Sequence, residues 1–149
     1  MTAQAITNNE LTIRTPKATT RYLPRVARTL MGLSFLGAGL FGLAIAGGLL
    51  APPQPPAPQP ANAAAFFAAV VKTGYLLPLI KVTETVVGAL LLCNRFVPLA
   101  LAMIAPVVVN ILAYHIFLSS SPVGFVFLAL EIYLAWTYRD AFRPMLKMR

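Results

Sequence analysis

The sequence predicts an all-α protein, a bundle of four helices that cross a membrane. Of its 149 residues, 58% are hydrophobic and 11% are charged, whereas a soluble domain carries about 25% charged residues. The mean hydropathy is +0.76. Four apolar windows reach or approach the roughly 20 residues that a spanning helix needs. They cover residues 28–50, 75–93, 96–118 and 122–138.

The segments around these windows differ in composition. Residues 1–21 are polar and show no hydrophobic period, so we expect a disordered cytoplasmic arm. Residues 51–60 hold six prolines, which favours an extended polyproline II segment. Residues 61–72 are apolar but too short to span, so residues 51–72 are predicted to be an outer loop with an interfacial or re-entrant helix. The four-helix domain then covers residues 22–146, with a basic tail over residues 139–149.

The distribution of Lys and Arg predicts the orientation. The net charge is +8, but the cations lie at the edges of apolar blocks and not on a soluble face, which excludes nucleic acid as a partner. The outer loop offers Lys72 alone, and a cytoplasmic excess of Lys and Arg is the rule for membrane proteins. Both termini are therefore predicted to be cytoplasmic. Ten cations fall on that side: Arg14, Lys17, Arg21, Arg25, Arg28, Arg95, Arg139, Arg143, Lys147 and Arg149.

Three charged side chains, one Asn and one His fall inside the predicted spans. They are Lys81, Glu84, Asn110, His115 and Glu131. Counted from the outer ends of the helices, Glu84 and Glu131 each lie about 13 Å deep. Lys81 and Glu84 are three residues apart and share a helix face. They predict either a neutralised pair that holds helices together, or an outward-facing polar pocket, formed with Glu131, that relays protons or binds a quinone oxygen.

The remaining candidate residues have simpler interpretations. Asn110 is expected to join helices by hydrogen bonding, and His115 to form hydrogen bonds near the outer interface or to contact a quinone headgroup. A single His and the single cysteine, Cys93, exclude a bis-His haem, an internal disulfide and a Cys-based zinc site, so no metal site is predicted. Small residues at every fourth position of the first span predict close packing inside the bundle or against another subunit: Ser34, Ala38, Gly42 and Ala46.

The order of these features resembles the DoxX-like family of small bacterial four-helix membrane proteins. The resemblance covers about residues 22–146 and rests on a K-x-x-E helix from Lys81, an N-R-F-x-P turn from Asn94 and a P-x-x-x-N helix from Pro106. It implies a protein of the bacterial cytoplasmic membrane, in a group that includes membrane subunits of a thiosulfate:quinone oxidoreductase. Lys81, Glu84, Asn110 and His115 match the polar pattern of the family.

These observations favour a subunit or accessory protein of a membrane redox or electron-transfer complex, without catalytic activity of its own. Its predicted partners are the lipid bilayer and other membrane subunits or further copies of the chain. No cofactor motif is present, so any quinone, pigment or lipid would be contacted through partner subunits. Two alternatives stay open: a small proton-linked or anion transporter that uses the Lys81, Glu84 and Glu131 cluster, and a stand-alone quinone-linked oxidoreductase.

Overall fold

The computed structural model describes residues 18–52 and 59–143, and all regular secondary structure in these residues is helical. The all-α prediction is therefore confirmed. The predictions for residues 1–17, for most of the proline-rich segment and for residues 144–149 lie outside the described residues. The helices are α1 (Ala18–Ala46), α2 (Ala61–Lys72), α3 (Leu76–Leu92), α4 (Val97–Tyr114) with a π-helical turn (His115–Ser119), α5 (Val123–Thr137) and α6 (Arg139–Phe142).

Helix α1 is shifted toward the N-terminus relative to the predicted first span. It begins at Ala18, within the predicted arm, and includes Pro24. It ends at Ala46, four residues before the predicted end, because two glycines follow. Gly48 has φ +74°, a left-handed conformation that glycine adopts without steric cost and that ends helices. The predicted boundaries of both the arm and the first span are corrected accordingly.

Helices α2 and α3 meet at a sharp bend of 90°. Gly74 has φ +75°, which ends α2 in the same way that Gly48 ends α1. Thr73 connects the two helices, because its hydroxyl donates to the Val70 carbonyl at 2.7 Å and accepts from the Leu76 amide at 3.2 Å. The short helix α2 thus precedes α3 in the chain, and the sequence predicts a short helix at this place.

Helices α1 and α3 form the most extensive contact in the described bundle. A Cβ atom added to Gly88 of α3 would lie 2.7 Å from the Leu36 Cα of α1. At Gly39 it would lie 2.6 Å from the Thr85 backbone nitrogen. The two helices therefore touch through their backbones and run antiparallel, and glycine is required where they meet.

Contacts at one end of the bundle show how the chain alternates in direction. Arg28, in the first half of α1, donates through Nη1 to Asn94 Oδ1 in the turn between α3 and α4, and to the Tyr138 hydroxyl at 3.2 Å after α5. This part of α1, the α3–α4 turn and the end of α5 therefore lie together. At the opposite end, Phe66 of α2 packs on Tyr114 with ring centroids 5.8 Å apart.

The apolar core lies between α1, α3, α4 and α5. It consists of Ala27, Met31, Phe35, Val87, Leu91, Val97, Ala100, Leu101, Ile104, Val108 and Leu134. The outward-facing side chains are also largely apolar, which is the pattern of a protein that contacts lipid and not water.

Two helical segments are long and apolar enough to cross a bilayer, Tyr22–Ala46 and Val97–Ser119. A third span results if the bent pair α2 and α3 is counted as one. Helix α5 has 15 residues and α3 has 17, so at 1.5 Å per residue they extend about 22 Å and 25 Å. Both are shorter than the roughly 30 Å hydrocarbon layer, and the four-span count stays a prediction.

Candidate functional site

An ion pair on α3 is the central polar feature of the bundle. Lys81 Nζ lies 2.8 Å from Glu84 Oε2, with the two residues three apart on one helix face. The Glu84 side chain is 6% exposed and that of Lys81 is 21% exposed. The Glu84 side chain is therefore buried while that of Lys81 is partly accessible, and each charge compensates the other.

Helix α1 provides the space in which Lys81 lies. A Cβ atom added to Gly42 would lie 2.7 Å from Lys81 Cγ and 2.8 Å from its Cε. The aliphatic part of Lys81 therefore packs on the bare backbone of α1. One turn along α3, the Thr85 hydroxyl donates to the Lys81 carbonyl at 2.7 Å. Gly42 thus holds the side chain of Lys81 close to its own helix and to Glu84.

Glu131 of α5 is also buried, with 7% of its surface exposed. It lies one turn before the buried Leu134. In residues 18–52 and 59–143, no side chain forms a hydrogen bond or ion pair with Glu131. The structure therefore brings Lys81 and Glu84 together and leaves Glu131 unbonded to both. A polar pocket formed by the three residues stays a prediction.

Asn110 faces outward from α4. It is exposed, and the sequence predicts that its amide joins helices by hydrogen bonding. The described part of the chain offers it no hydrogen-bond partner, and Tyr114 packs instead against the rings of Phe66, Phe67 and His115. A link from Asn110 to another helix of the same chain is therefore not formed among these residues.

His115 begins the π-helical turn at the end of α4. Its Nδ1 lies 2.7 Å from the Ile111 carbonyl oxygen. Because a carbonyl only accepts, Nδ1 donates in this contact, which leaves Nε2 as the acceptor of the neutral imidazole. π-Helical turns are often found at functional positions, and the sequence carries no signal that predicts this one.

A surface depression of about 430 Å³ adjoins His115. Its walls combine the imidazole and two hydroxyl side chains with an aromatic ring and aliphatic groups. The lining residues are His115, Ile116, Ser120, Ser121, Pro122 and Phe125. A second depression, of about 360 Å³, is an apolar groove between α1 and α5 lined by Leu23, Ala27, Val126, Ala129, Leu130 and Tyr133. Neither depression is lined by Lys81, Glu84 or Glu131.

The predicted small-residue stripe on α1 only partly coincides with the observed helix contact. Of its four members, Gly42 is buried, whereas Ser34, Ala38 and Ala46 are exposed. The contact with α3 is formed by Gly32, Gly39 and Gly42. Packing of Ser34, Ala38 and Ala46 against another subunit stays a prediction. Cys93 is exposed and unpaired within the described residues.

Sequence reasoning missed the hydrogen bonds of Arg28. This residue was interpreted as a topological charge, but its guanidinium joins Asn94 to Tyr138, and its Nε is buried without a partner in the described part of the chain. Asn94 has φ 54°, a left-handed conformation that Asn tolerates better than most residues. An Asn directly after an apolar helix was the available signal for a polar contact here.

Comparison of the chain with protein-family models, with curated proteins and with solved structures found no match. The resemblance to DoxX-like proteins therefore rests on the residue pattern alone.

Proposed function

We propose that this chain is a membrane subunit or accessory protein of a redox or electron-transfer complex in a bacterial cytoplasmic membrane. In this proposal four helices cross the bilayer, both termini are cytoplasmic, and the chain helps to form a site for a quinone headgroup. The chain does not carry the redox chemistry. It binds the quinone headgroup next to the partner subunit that carries out the redox chemistry.

The observation that carries this proposal is the depression beside His115. A quinone headgroup is a flat ring with two carbonyl oxygens, or two hydroxyls when reduced. Phe125 and Ile116 offer apolar surface for such a ring, while Ser120 and Ser121 offer hydroxyl donors. Because His115 Nδ1 is bonded to Ile111, its Nε2 is an acceptor suited to a quinol hydroxyl. The depression opens at the surface, where a partner subunit can complete it.

The interior ion pair is compatible with the same assignment. Lys81 is neutralised by Glu84, and neither depression is lined by these residues. An ion pair between packed helices adds little net stability but can fix the register of the helices. We therefore propose that the quinone binds at the outer surface near His115 and not at the cluster of Lys81, Glu84 and Glu131.

The quinone content of the isolated protein tests this proposal. We expect the full chain, extracted from its native membrane in mild detergent, to retain quinone, and His115→Leu to lose most of it. Ser34→Ala is the matched control, since it removes an exposed polar group from a different helix. Equal quinone in His115→Leu and in the control, or none in the unmodified protein, would count against the proposal.

Transport is a second candidate, favoured by one observation. Helix α2 meets α3 at 90°, and the Lys81–Glu84 pair begins five residues after the start of α3. Interrupted helices next to charged groups are common in transporters. The chain reconstituted in vesicles would then carry protons or anions, and Glu84→Gln would abolish the flux. The absence of flux above that of protein-free vesicles would exclude this candidate.

A further inference from the structure

Asn110 is a polar side chain placed where a membrane protein normally presents apolar ones. It lies nine residues before Ser119, the end of the Val97–Ser119 span, so it is about 13 Å from that end of the helix. Its distance from Val97 is about 20 Å. A carboxamide at this depth contacts hydrocarbon, which can neither donate nor accept hydrogen bonds, and its burial there is costly without a partner.

The surface around Asn110 is otherwise apolar. Ala102, Pro106 and Asn110 follow one another at intervals of four residues and all three are exposed. Leu99 and Met103 are exposed on the same side of α4, so a second helix would pack against short and long side chains together. We call Ala102, Pro106 and Asn110 the Asn110 face.

We propose that the Asn110 face binds the same face of a second copy of this chain, and that the two Asn110 side chains hydrogen-bond to each other. A carboxamide carries both donors and an acceptor, so it is complementary to itself. Two copies inserted with the same orientation are related by a two-fold axis along the membrane normal, which places identical residues at equal depth. A single Asn in an apolar helix contact is known to fix pairing and register in this way.

The alternative surface for self-association is the exposed part of the α1 stripe, Ser34, Ala38 and Ala46. Among the described residues, neither the Ser34 hydroxyl nor the Asn110 amide forms a hydrogen bond, whereas the helical hydroxyls of Thr83, Thr85 and Thr137 do. A carboxamide has two donor hydrogens and an acceptor, against one hydroxyl for serine, so the larger unmet requirement for hydrogen bonds lies on α4. This requirement does not depend on the proposed redox function.

Self-association of the full chain in phosphatidylcholine vesicles tests this interface. Cys93 is exposed and is the one cysteine of the chain, so donor and acceptor fluorophores attached there report dimer formation by energy transfer. We expect Asn110→Leu to weaken association about three- to thirty-fold, the range for one interhelical hydrogen bond in a membrane. We expect Asn110→Gln to retain most of it, and Ala38→Leu on α1 to leave it unchanged.

Cross-linking provides a second measurement that does not depend on a loss of affinity. In a Cys93→Ser background, Ala102→Cys is expected to form a disulfide-linked dimer under mild oxidation, whereas Val126→Cys, exposed on α5, is not. The proposal is overturned by no energy transfer in the unmodified protein, by Asn110→Leu associating as well as the unmodified chain, or by Ala38→Leu abolishing association. Cross-linking of Val126→Cys alone would also overturn it. Failure of the quinone test would leave these results unaffected.

Discussion

Lys81 Nζ donates to Glu84 Oε2 at 2.8 Å, and the stem of the same lysine packs on the bare backbone of Gly42. A glycine of α1 thus fixes the position of a charge of α3. Because the two helices approach closely, the ion pair lies inside the bundle, where each charge neutralises the other. The Lys81 side chain stays partly accessible.

Breaking the Lys81–Glu84 pair should destabilise the fold more than removing both of its charges. Lys81→Met leaves a buried carboxylate without its partner, and we expect it to lower the free energy of unfolding by about 1–3 kcal/mol, less than a fully buried pair because Lys81 is 21% exposed. The double variant Lys81→Met with Glu84→Leu should recover most of this loss. Denaturation of the full chain in mixed micelles measures all three proteins.

The control for this cycle is Lys72→Met, which removes an exposed cation that forms no ion pair among the described residues. Equal stability of Lys81→Met and Lys72→Met would show that the contact contributes nothing.

The contact between α1 and α3 should not tolerate a methyl group at Gly88. A Cβ atom there would lie 2.7 Å from Leu36 Cα, so Gly88→Ala must push two backbones apart. We expect a loss of about 1–3 kcal/mol in the free energy of unfolding. Gly37→Ala, where the added Cβ meets no atom within 4 Å, should be neutral or stabilising, since alanine favours helix.

Thermal unfolding in detergent compares these two glycine variants directly. Equal stability of Gly88→Ala and Gly37→Ala would show that the backbones of α1 and α3 do not touch at Gly88.

The sequence predicts the helices better than it predicts their faces. The bounds of α3 and α4 agree with the predicted windows to within a few residues, because Gly74, Asn94 and Pro98 interrupt the apolar pattern. The end of α1 was missed because Gly47 and Gly48 were counted as part of an apolar run.

The small-residue stripe on α1 has a geometric explanation. Residues four apart are separated by about 400° around a helix, so a strict interval of four drifts about 40° at each step. Ser34 and Ala46 therefore lie on different faces. Gly32 and Gly39, seven apart, differ by only about 20° and both meet α3.

The sequence predicts the depth of a site residue in the membrane better than the side of the helix on which it lies. The cost of charge in a membrane predicts an interior position for Glu84 and Glu131, and both are buried. Depth alone does not determine which side chains touch, and Glu131 is not bonded to Lys81. Asn110 is exposed on its own chain, and a polar residue in a span can equally be buried against a second chain.

The bonds of Arg28 should tie together the end of the bundle that also holds Asn94. Tyr138→Phe removes the hydroxyl that accepts from Arg28 Nη1 at 3.2 Å, and we expect it to lower the free energy of unfolding by about 0.5–1.5 kcal/mol. Tyr75→Phe is the matched control, since Tyr75 is 66% exposed and its hydroxyl makes no hydrogen bond among residues 18–52 and 59–143. A Tyr138→Phe protein as stable as this control would mean that the Arg28 contact is not stabilising.

Labelling of single cysteines from either side of the membrane tests the four-span prediction. Cys93 lies at the end of the bundle that holds Arg28, so an impermeant maleimide should reach it only from the side of the termini. In a Cys93→Ser background, Leu49→Cys and Ser121→Cys should react only from the opposite side. Labelling of Cys93 and Leu49→Cys from the same side would show that α3 does not cross.

Mass spectrometry of the native assembly tests the central claim most directly. The chain, isolated from its own membrane in mild detergent without cross-linking, is weighed intact and its companions are identified. The account predicts a complex that contains this chain, at least one redox polypeptide and bound quinone. Recovery only as a monomer or as copies of itself, with no companion polypeptide and no quinone, would contradict the account.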